Sequence, residues 1–294
     1  MENSTTAIIF GSNGQDGYYL KQLLEQHGIR CICISRSGDA VHGDVGNRDF
    51  VEEQIKQHLP GYIFHFAARS STHHSAMFEN HHTICTGTLN ILEAVKDHSP
   101  NSKVFISGSA MQFKNAGTPI DEQTPFDASS PYSVARIQSV YAARYYREKF
   151  GIAVYVGYFF NHDSPLRTEH HVNQKIVLAV KHIQSGSSEM LKLGNINVKK
   201  EFSFAGDVVK AVWILVNQSN IFEAVIGSGK AYSIKEWVEY CFAKTGMDWK
   251  NHVTAQEGFI HEYDTLVSKP DLMQSLGWKP TVEFHRLADM MMEL

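Results

Sequence analysis

Along the first half of the chain, apolar residues fall into short continuous runs separated by longer segments where they recur every third or fourth position. Thr6–Phe10 (TAIIF), Cys31–Ile34 (CICI), Tyr62–Phe66 (YIFHF), Val104–Ser107 (VFIS) and Ile152–Tyr158 (IAVYVGY) read as strands buried on both faces. Gln15–His27, Asn47–His58, Asn80–His98 and Tyr132–Phe150 read as helices, the last through Val134, Ile137, Tyr141 and Tyr145. Strand and helix in alternation predict an α/β protein: a doubly wound, Rossmann-type parallel sheet with right-handed crossovers. Near Asn161 the rhythm breaks. Helical stretches at Val172–Gln184, Asp207–Gln218, Ile234–Lys244, Pro270–Leu276 and Phe284–Met292 are joined by irregular polar connections. A sheet domain over residues 1–160 is therefore expected. Residues 161–294 would form a smaller mixed α/β lobe across the carboxyl ends of the strands, with some segments returning to the sheet domain.

Composition narrows the possibilities. The 294 residues are 43% hydrophobic and 20% charged, which is ordinary globular composition with enough apolar surface for a real core. A formal charge of −4 gives no reason to expect nucleic acid or an anionic membrane as partner. The start, MENSTTAIIFGSNG, runs straight into a strand, and no apolar run reaches membrane-spanning length, so a soluble cytoplasmic protein is expected. Cys31, Cys33, Cys85 and Cys241 form no CxxC pair and are expected to be free, buried thiols. The histidine pairs His73-His74, His81-His82 and His170-His171 have no carboxylate or cysteine at ligand spacing beside them. They read as solvated side chains, and no metal site is expected.

The first chemistry-bearing signal is GSNGQDG, directly after the first strand and opening a helix. Gly11, Gly14 and Gly17 allow a turn without Cβ atoms, so that a pyrophosphate can approach amides at a helix amino end, with Asn13, Gln15 and Asp16 filling the turn. The sheet domain thus reads as dinucleotide-binding. The second strand ends Ile34-Ser35-Arg36-Ser37, with a cation and hydroxyls and no acid. That end favours a 2′-phosphate, hence NADP rather than NAD. Asp44 and Val45 are placed for an adenine contact, and Phe66, Ala67 and Ala68 for a close approach to the ribose.

A serine, a tyrosine and a cation then fall into one region: Ser109 after the fourth strand, and Tyr132 and Arg136 four residues apart on the following helix. Together these features resemble the extended short-chain dehydrogenase/reductase superfamily, whose pattern is Ser/Thr with Tyr-x-x-x-Lys. GSNGQDGYYL, SPYSVAR, NHDSP (Asn161–Pro165), LGN (Leu193–Asn195) and LGWKP (Leu276–Pro280) narrow the resemblance to its GDP-mannose 4,6-dehydratase-like branch. The resemblance implies an NADP-dependent enzyme acting at C4 of a nucleoside-diphosphate hexose. In it Ser109 would polarise the C4 oxygen, and Tyr132 would be the acid/base with Arg136 as its cation. Asn161 and Lys175 would lie against the diphosphate, with Ser70 and Lys200 also on the substrate side. Pairing of the helices Asn80–His98 and Tyr132–Phe150 into a homodimer is implied as well.

The departures bear on the reaction. Arg136 stands where the family has lysine. Met111 stands two residues after Ser109, where dehydratases of this branch carry the glutamate that removes water across C5 and C6. Lys200 takes the place of an arginine. The loop after the second strand is shorter, and the later substrate loop shows no arginine between Gly258 and Asp264. Hydride transfer at C4 needs only Ser109, Tyr132 and a positioned nicotinamide. Reduction of a 4-keto-6-deoxy nucleotide sugar, or the reverse oxidation, is therefore the leading expectation. The alternatives are a dehydratase or epimerase using Asp121, Glu122 or a histidine near His73 as base, and a catalytically impaired relative that binds cofactor or sugar nucleotide as a subunit.

Overall fold

A computed structural model of the chain describes residues 5–256, 258 and 262–293, so part of the stretch between Gly258 and Asp264 lies outside the described residues. Its centre is β1 (Thr6–Phe10), whose alternating side chains feed two cores. Ile8 and Phe10 enter one face, Ala7 and Ile9 the other. The remaining strands of the sheet are β2 (Arg30–Ser35), β3 (Val41–His42), β4 (Tyr62–His65), β5 (Lys103–Ser109), β6 (Val154–Phe159) and β11 (Glu223–Ile226). Their order is β11-β6-β5-β4-β1-β2-β3, all parallel. The chain winds outward from β1 to β3 and then restarts on β1's other flank at β4. This reversal opens a crevice at the carboxyl ends of β1 and β4.

Helices α2 (Arg48–His58), α4 (Gly87–His98) and α5 (Pro131–Phe150) cover one face through residues such as Val51, Leu92 and Val140. Helices α1 (Gln15–Gln26) and α7 (Ala205–Val216) cover the other through Leu20, Leu24 and Val212. A third core gathers α6 (Val172–Gln184), α8 (Ile234–Ala243) and α10 (Phe284–Met292) around Trp237, Phe242 and Phe284. The α/β, Rossmann-type expectation holds. The polar half also contributes β11 to the main sheet, a four-residue run too short to stand out by periodicity alone.

Two details depart from the pattern. The helix expected over Asn80–His98 begins earlier, as α3 (Met77–Asn80), and passes through a wider π turn at His81–Thr86 before α4. The turn packs α4 on α5, where Cys85 Sγ donates to the Ala135 carbonyl and Ser139 Oγ to that of Ile84. The second departure concerns Cys31 and Cys33, expected to be buried, which are half-buried on their strand. Desolvation still raises both thiols, Cys31 to about 12.

Helix α5 is tightly defined. Ser130 caps it through the amide of Ser133, Pro131 opens it, and Gly151 in the left-handed region (φ 70°) ends it. Its buried face is Tyr132, Ala135, Arg136, Ser139, Val140, Ala143 and Tyr146. The stripe that carries the helical period points elsewhere: Tyr141 and Tyr145 are 59% and 55% exposed, with Val134 beside them also exposed.

The lobe is fastened to the sheet by a buried carboxylate. Glu201, in β9 (Lys199–Glu201), accepts the amides of Ser228, Gly229 and Ser268 and the hydroxyls of Ser228 and Ser268. Burial raises its pKa against the pull of these donors. Glu201→Ala strands the buried Ser268 N–H and hydroxyl and frees the part-buried amides of Ser228 and Gly229, and is expected to cost about 3 kcal/mol in urea denaturation; a loss under about 1 kcal/mol would contradict this role.

Candidate active site

The glycine turn separates into packing and opening. Gly11 holds φ at 88°, and a methyl there would lie 2.5 Å from the Ala67 amide nitrogen, so β4 can approach only a glycine. A methyl on Gly17 would meet Ser12 Cα at 2.5 Å. Gly14 differs: a methyl there would meet only the Gly11 carbonyl, at 3.4 Å. The open side of the turn therefore lies at the amino end of α1, the shape an approaching pyrophosphate needs. Beside it a cavity of about 220 Å³ is lined by Gly11, Gly14, Arg36, Ser37, Asp44, Val45, Phe66, Ala67 and Ala68, nine of the residues expected at the cofactor. These residues fit the adenosine half of a dinucleotide.

The other turn residues have structural ties. Asn13 Nδ2 donates to the Ser37 carbonyl, joining the turn to the loop after β2. The buried Gln15 side chain donates to the His162 carbonyl (3.1 Å) and accepts from Ser164 Oγ (2.9 Å). Asp16 Oδ1 lies 2.9 Å from His162 Nε2, and His162 Nδ1 lies 2.8 Å from the Phe160 carbonyl oxygen. GSNGQDG and NHDSP, almost 150 residues apart in sequence, thus form one bonded unit. Burial opposes both charges of the pair. His162, Arg167 and Arg136 nevertheless hold the Asp16 carboxyl below its usual value, and Asp16 holds the His162 imidazole above its own.

A second cavity, of about 320 Å³, brings together Ser109, Met111, Tyr132, Arg136, Ser70, Asn161, Asp16, Arg167, His171, Glu262 and Tyr263. All three expected catalytic residues line it. Ser109 Oγ accepts the Met111 amide at 3.2 Å as the cap of a short turn, and its amide donates to Gln112 Oε1. Arg136 is 4% exposed. Its Nε donates to Tyr132 Oη at 3.2 Å, while Nη1 donates to the Ser107 carbonyl and, at 2.9 Å, to Ser107 Oγ. Ser107 Oγ in turn donates to the His65 carbonyl. The fully buried His65 is pushed down to about 3 by desolvation and then by Arg136, which leaves it neutral. The guanidinium fork therefore spans the end of β5 and the phenol.

Towards the lobe, cations gather. Asp163 pairs with Arg167 (2.8 Å) and accepts from Asn173 Nδ2. Lys200 is buried, and desolvation lowers its pKa although Asp163 partly offsets this. His171, read from sequence as solvated, is half-buried and driven to about 4 by burial and then by Arg167. An adjoining cavity of about 450 Å³ is lined by Lys175, Lys192, Lys200, Asn195, His73 and Glu262, with Lys175 Nζ donating to the Lys192 carbonyl. Among the described residues, no group of three or more His, Cys, Asp or Glu could hold a metal.

Asp121 and Glu122, the bases considered from sequence, line neither cavity. Glu122 accepts the Val225 amide and Asp121 is tied to Thr124. Sequence reading passed over Glu262, Arg167 and Ser107. Arg167 could have been found from its spacing of four after Asp163, and Ser107 as a hydroxyl inside a buried strand; nothing local marks Glu262.

The sheet, glycine turn and Ser–Tyr–Arg cleft define an oxidoreductase-type enzyme of the extended short-chain dehydrogenase/reductase class. Solved structures agree on the fold. dTDP-glucose 4,6-dehydratase from Bacillus anthracis, in complex with NAD, superposes with TM-score 0.86 at 19% identity, covering 99% of this chain and 96% of that one. RMD from Pseudomonas aeruginosa, complexed with NADPH, gives 0.85 at 19% identity, covering 99% and 98%. The family model for GDP-mannose 4,6 dehydratase matches residues 8–291. GDP-mannose 4,6 dehydratase 1 of Arabidopsis thaliana is 30% identical over 98% of this chain and 88% of its own length. The chain belongs to the GDP-mannose 4,6-dehydratase family.

The Asp16–His162 pair gives a test with a definite sign. A raised histidine stabilises fully below its unfolded value near 6.5 and loses that contribution as pH rises through its folded value. A lowered aspartate contributes above ~3.8 and loses its share as pH falls through its folded value. Asp16→Asn is therefore expected to cost roughly 3 kcal/mol between those limits, with the difference from wild type shrinking above the raised His162 value. A pH-independent difference in urea denaturation would contradict the pairing.

Proposed function

We propose that the protein is an NADP-dependent oxidoreductase acting at C4 of a nucleoside-diphosphate hexose, with a GDP-linked 4-keto-6-deoxy sugar as substrate. The observation that carries this reading is Met111 on the wall of the cavity that holds Ser109 and Tyr132, in the place of the dehydratase glutamate. A thioether moves no protons, so elimination across C5 and C6 loses its usual base while chemistry at C4 stays intact. Tyr132 Oη already accepts from Arg136, which leaves the phenol's own hydrogen for the C4 oxygen in the reducing direction. Ser109 Oγ accepts from the Met111 amide, and its hydrogen polarises the same oxygen. The dinucleotide, when bound, supplies or accepts the hydride. Arg36 on the adenosine cavity favours the 2′-phosphate; related folds hold NAD in one case and NADPH in another. Lys200, Lys175 and Arg167 supply positive charge for the diphosphate beside Asn161. The cofactor is thus held by residues 1–160 and the sugar nucleotide mainly by residues 161–294.

One observation favours a second reading. Glu262 lines both the catalytic cavity and the adjoining one, so a carboxylate from the lobe could serve a dehydratase. The two readings separate when the protein is incubated with GDP-mannose and, separately, with its 4-keto-6-deoxy product, following NADPH absorbance and product mass. NADPH consumption with the keto sugar alone is expected. Loss of water from GDP-mannose, abolished by Glu262→Gln, would overturn the reductase in favour of elimination. Tyr132→Phe should lower kcat by about 10²–10⁴-fold while cofactor affinity stays within a few-fold; undiminished turnover would remove the mechanism.

Exposed Tyr141 and Tyr145 of α5 line a largely apolar groove with Leu89 of α4, which, with exposed Val134 on the same helix, fits a homodimer built on these two helices. Sedimentation should give a dimer for the wild type and a monomer for Tyr141→Glu/Tyr145→Glu. A wild-type monomer would contradict the assembly.

A further inference from the structure

Arg36 does not stand alone at the adenosine cavity. Its Nη2 lies 3.4 Å from Glu79 Oε1, and Arg69 Nη1 bonds the other oxygen, Glu79 Oε2. The three side chains come from separate elements: Arg36 from the loop after β2, Arg69 from the loop after β4, and Glu79 from α3. One carboxylate therefore holds two guanidiniums close together, and one of them, Arg36, lies with Ser37 on the wall of the cavity. The Arg69 bond, and then Arg36, keep the Glu79 carboxyl below its usual range even though desolvation opposes this, so Glu79 is an anion at neutral pH.

We propose that Glu79 sets the cofactor selectivity, as an internal counter-ion that competes with a 2′-phosphate for Arg36 and Arg69. A phosphomonoester dianion meeting Arg36 also meets the Glu79 charge. It gains both arginines when that carboxylate releases them, and Arg69 becomes the second cation of the phosphate seat. Arginine suits this exchange because its planar fork accepts either a carboxylate or a phosphate. A 2′-hydroxyl carries no charge to compete, so NADH binding should be nearly indifferent to Glu79. The contacts are at the surface, where an ion pair contributes little and is weakened by salt. The selectivity set by Glu79 is accordingly a matter of a few-fold.

The assignment rests on NADP as the cofactor, and the test keeps the two apart. NADPH and NADH are titrated calorimetrically into wild type, Glu79→Gln, Arg69→Ala and Arg36→Ala at low and high salt, without substrate. Both arginine side chains are more than half exposed, so these variants should fold. Glu79→Gln is expected to tighten NADPH about three- to five-fold with little change for NADH, an effect that fades at high salt. Arg69→Ala should weaken NADPH, as Arg36→Ala does. If wild type prefers NADPH and Arg36→Ala erases the preference, but Glu79→Gln and Arg69→Ala leave it unchanged, the counter-ion role is overturned while NADP stands. If wild type shows no preference and Glu79→Gln creates one, NADP selectivity fails and the competition by Glu79 stands. No preference in either protein overturns both.

Discussion

A guanidinium buried beside the Tyr132 phenol is the constraint around which this cleft is built. Arginine cannot shed its charge in a protein, so a buried one must find acceptors for its N–H groups. Arg136 finds them in the Ser107 carbonyl, the Ser107 hydroxyl and Tyr132 Oη. Those contacts pin the end of β5 to the first turns of α5 and set where Ser109, two residues beyond Ser107, meets the cavity. Lysine would offer one compact head with rotatable donors. Arginine's fork bridges two groups at once, and Ser107 provides the second landing point. The replacement of lysine is thus accommodated locally, with the cation still on the phenol.

A second tie acts across the molecule. Gln15 and Asp16 hold the segment His162–Ser164, so the turn that would cradle a pyrophosphate is bonded directly to a segment on the wall of the Ser109–Tyr132 cavity. Glu201 performs a related task for the lobe, gathering the strand end after β11 and Ser268, two residues beyond β14 (Thr265–Leu266), onto β9. The second tie uses a buried carboxylate with several partners, the first a half-buried one paired with His162 and flanked by the Gln15 amide. Polar networks of this kind specify one arrangement because each member left unpaired would be costly. The positive charge of Arg167 faces the same cavity from the lobe side, and that of Lys200 faces the adjoining one.

Much of the fold was legible because central parallel strands are continuous apolar runs: TAIIF is β1 to the residue, and Val172–Gln184 and Phe284–Met292 are α6 and α10 without adjustment. Less legible were elements whose stability is borrowed from neighbours. β11 is four residues that become a strand only beside β6, and the π turn at His81–Thr86 follows from packing on α5. Of the stripe with helical period, Val134, Tyr141 and Tyr145 face outward and Ile137 is half-buried, because α5 is apolar on two sides and periodicity does not say which side meets the sheet. In the site, Ser109, Tyr132 and Arg136 were readable from local spacing. Glu79 and Glu262 were not, since each reaches its place from a distant loop or short helix and sits in no recognisable motif. The carboxylate absent from the end of β2 is in effect returned to Arg36 by α3.

On the proposed function, this cleft moves hydride at C4 and nothing at C5 or C6. The most direct test is to reduce the 4-keto-6-deoxy nucleotide sugar with NADPH deuterated at both hydrogens of nicotinamide C4 in ordinary water, and with ordinary NADPH in deuterated water, reading both products by NMR. Deuterium carried from the cofactor to C4 alone, with no enzyme-dependent solvent label at C5 or C6, is the predicted result. Enzyme-dependent solvent deuterium at C5 or C6, or cofactor deuterium absent from C4, would contradict it.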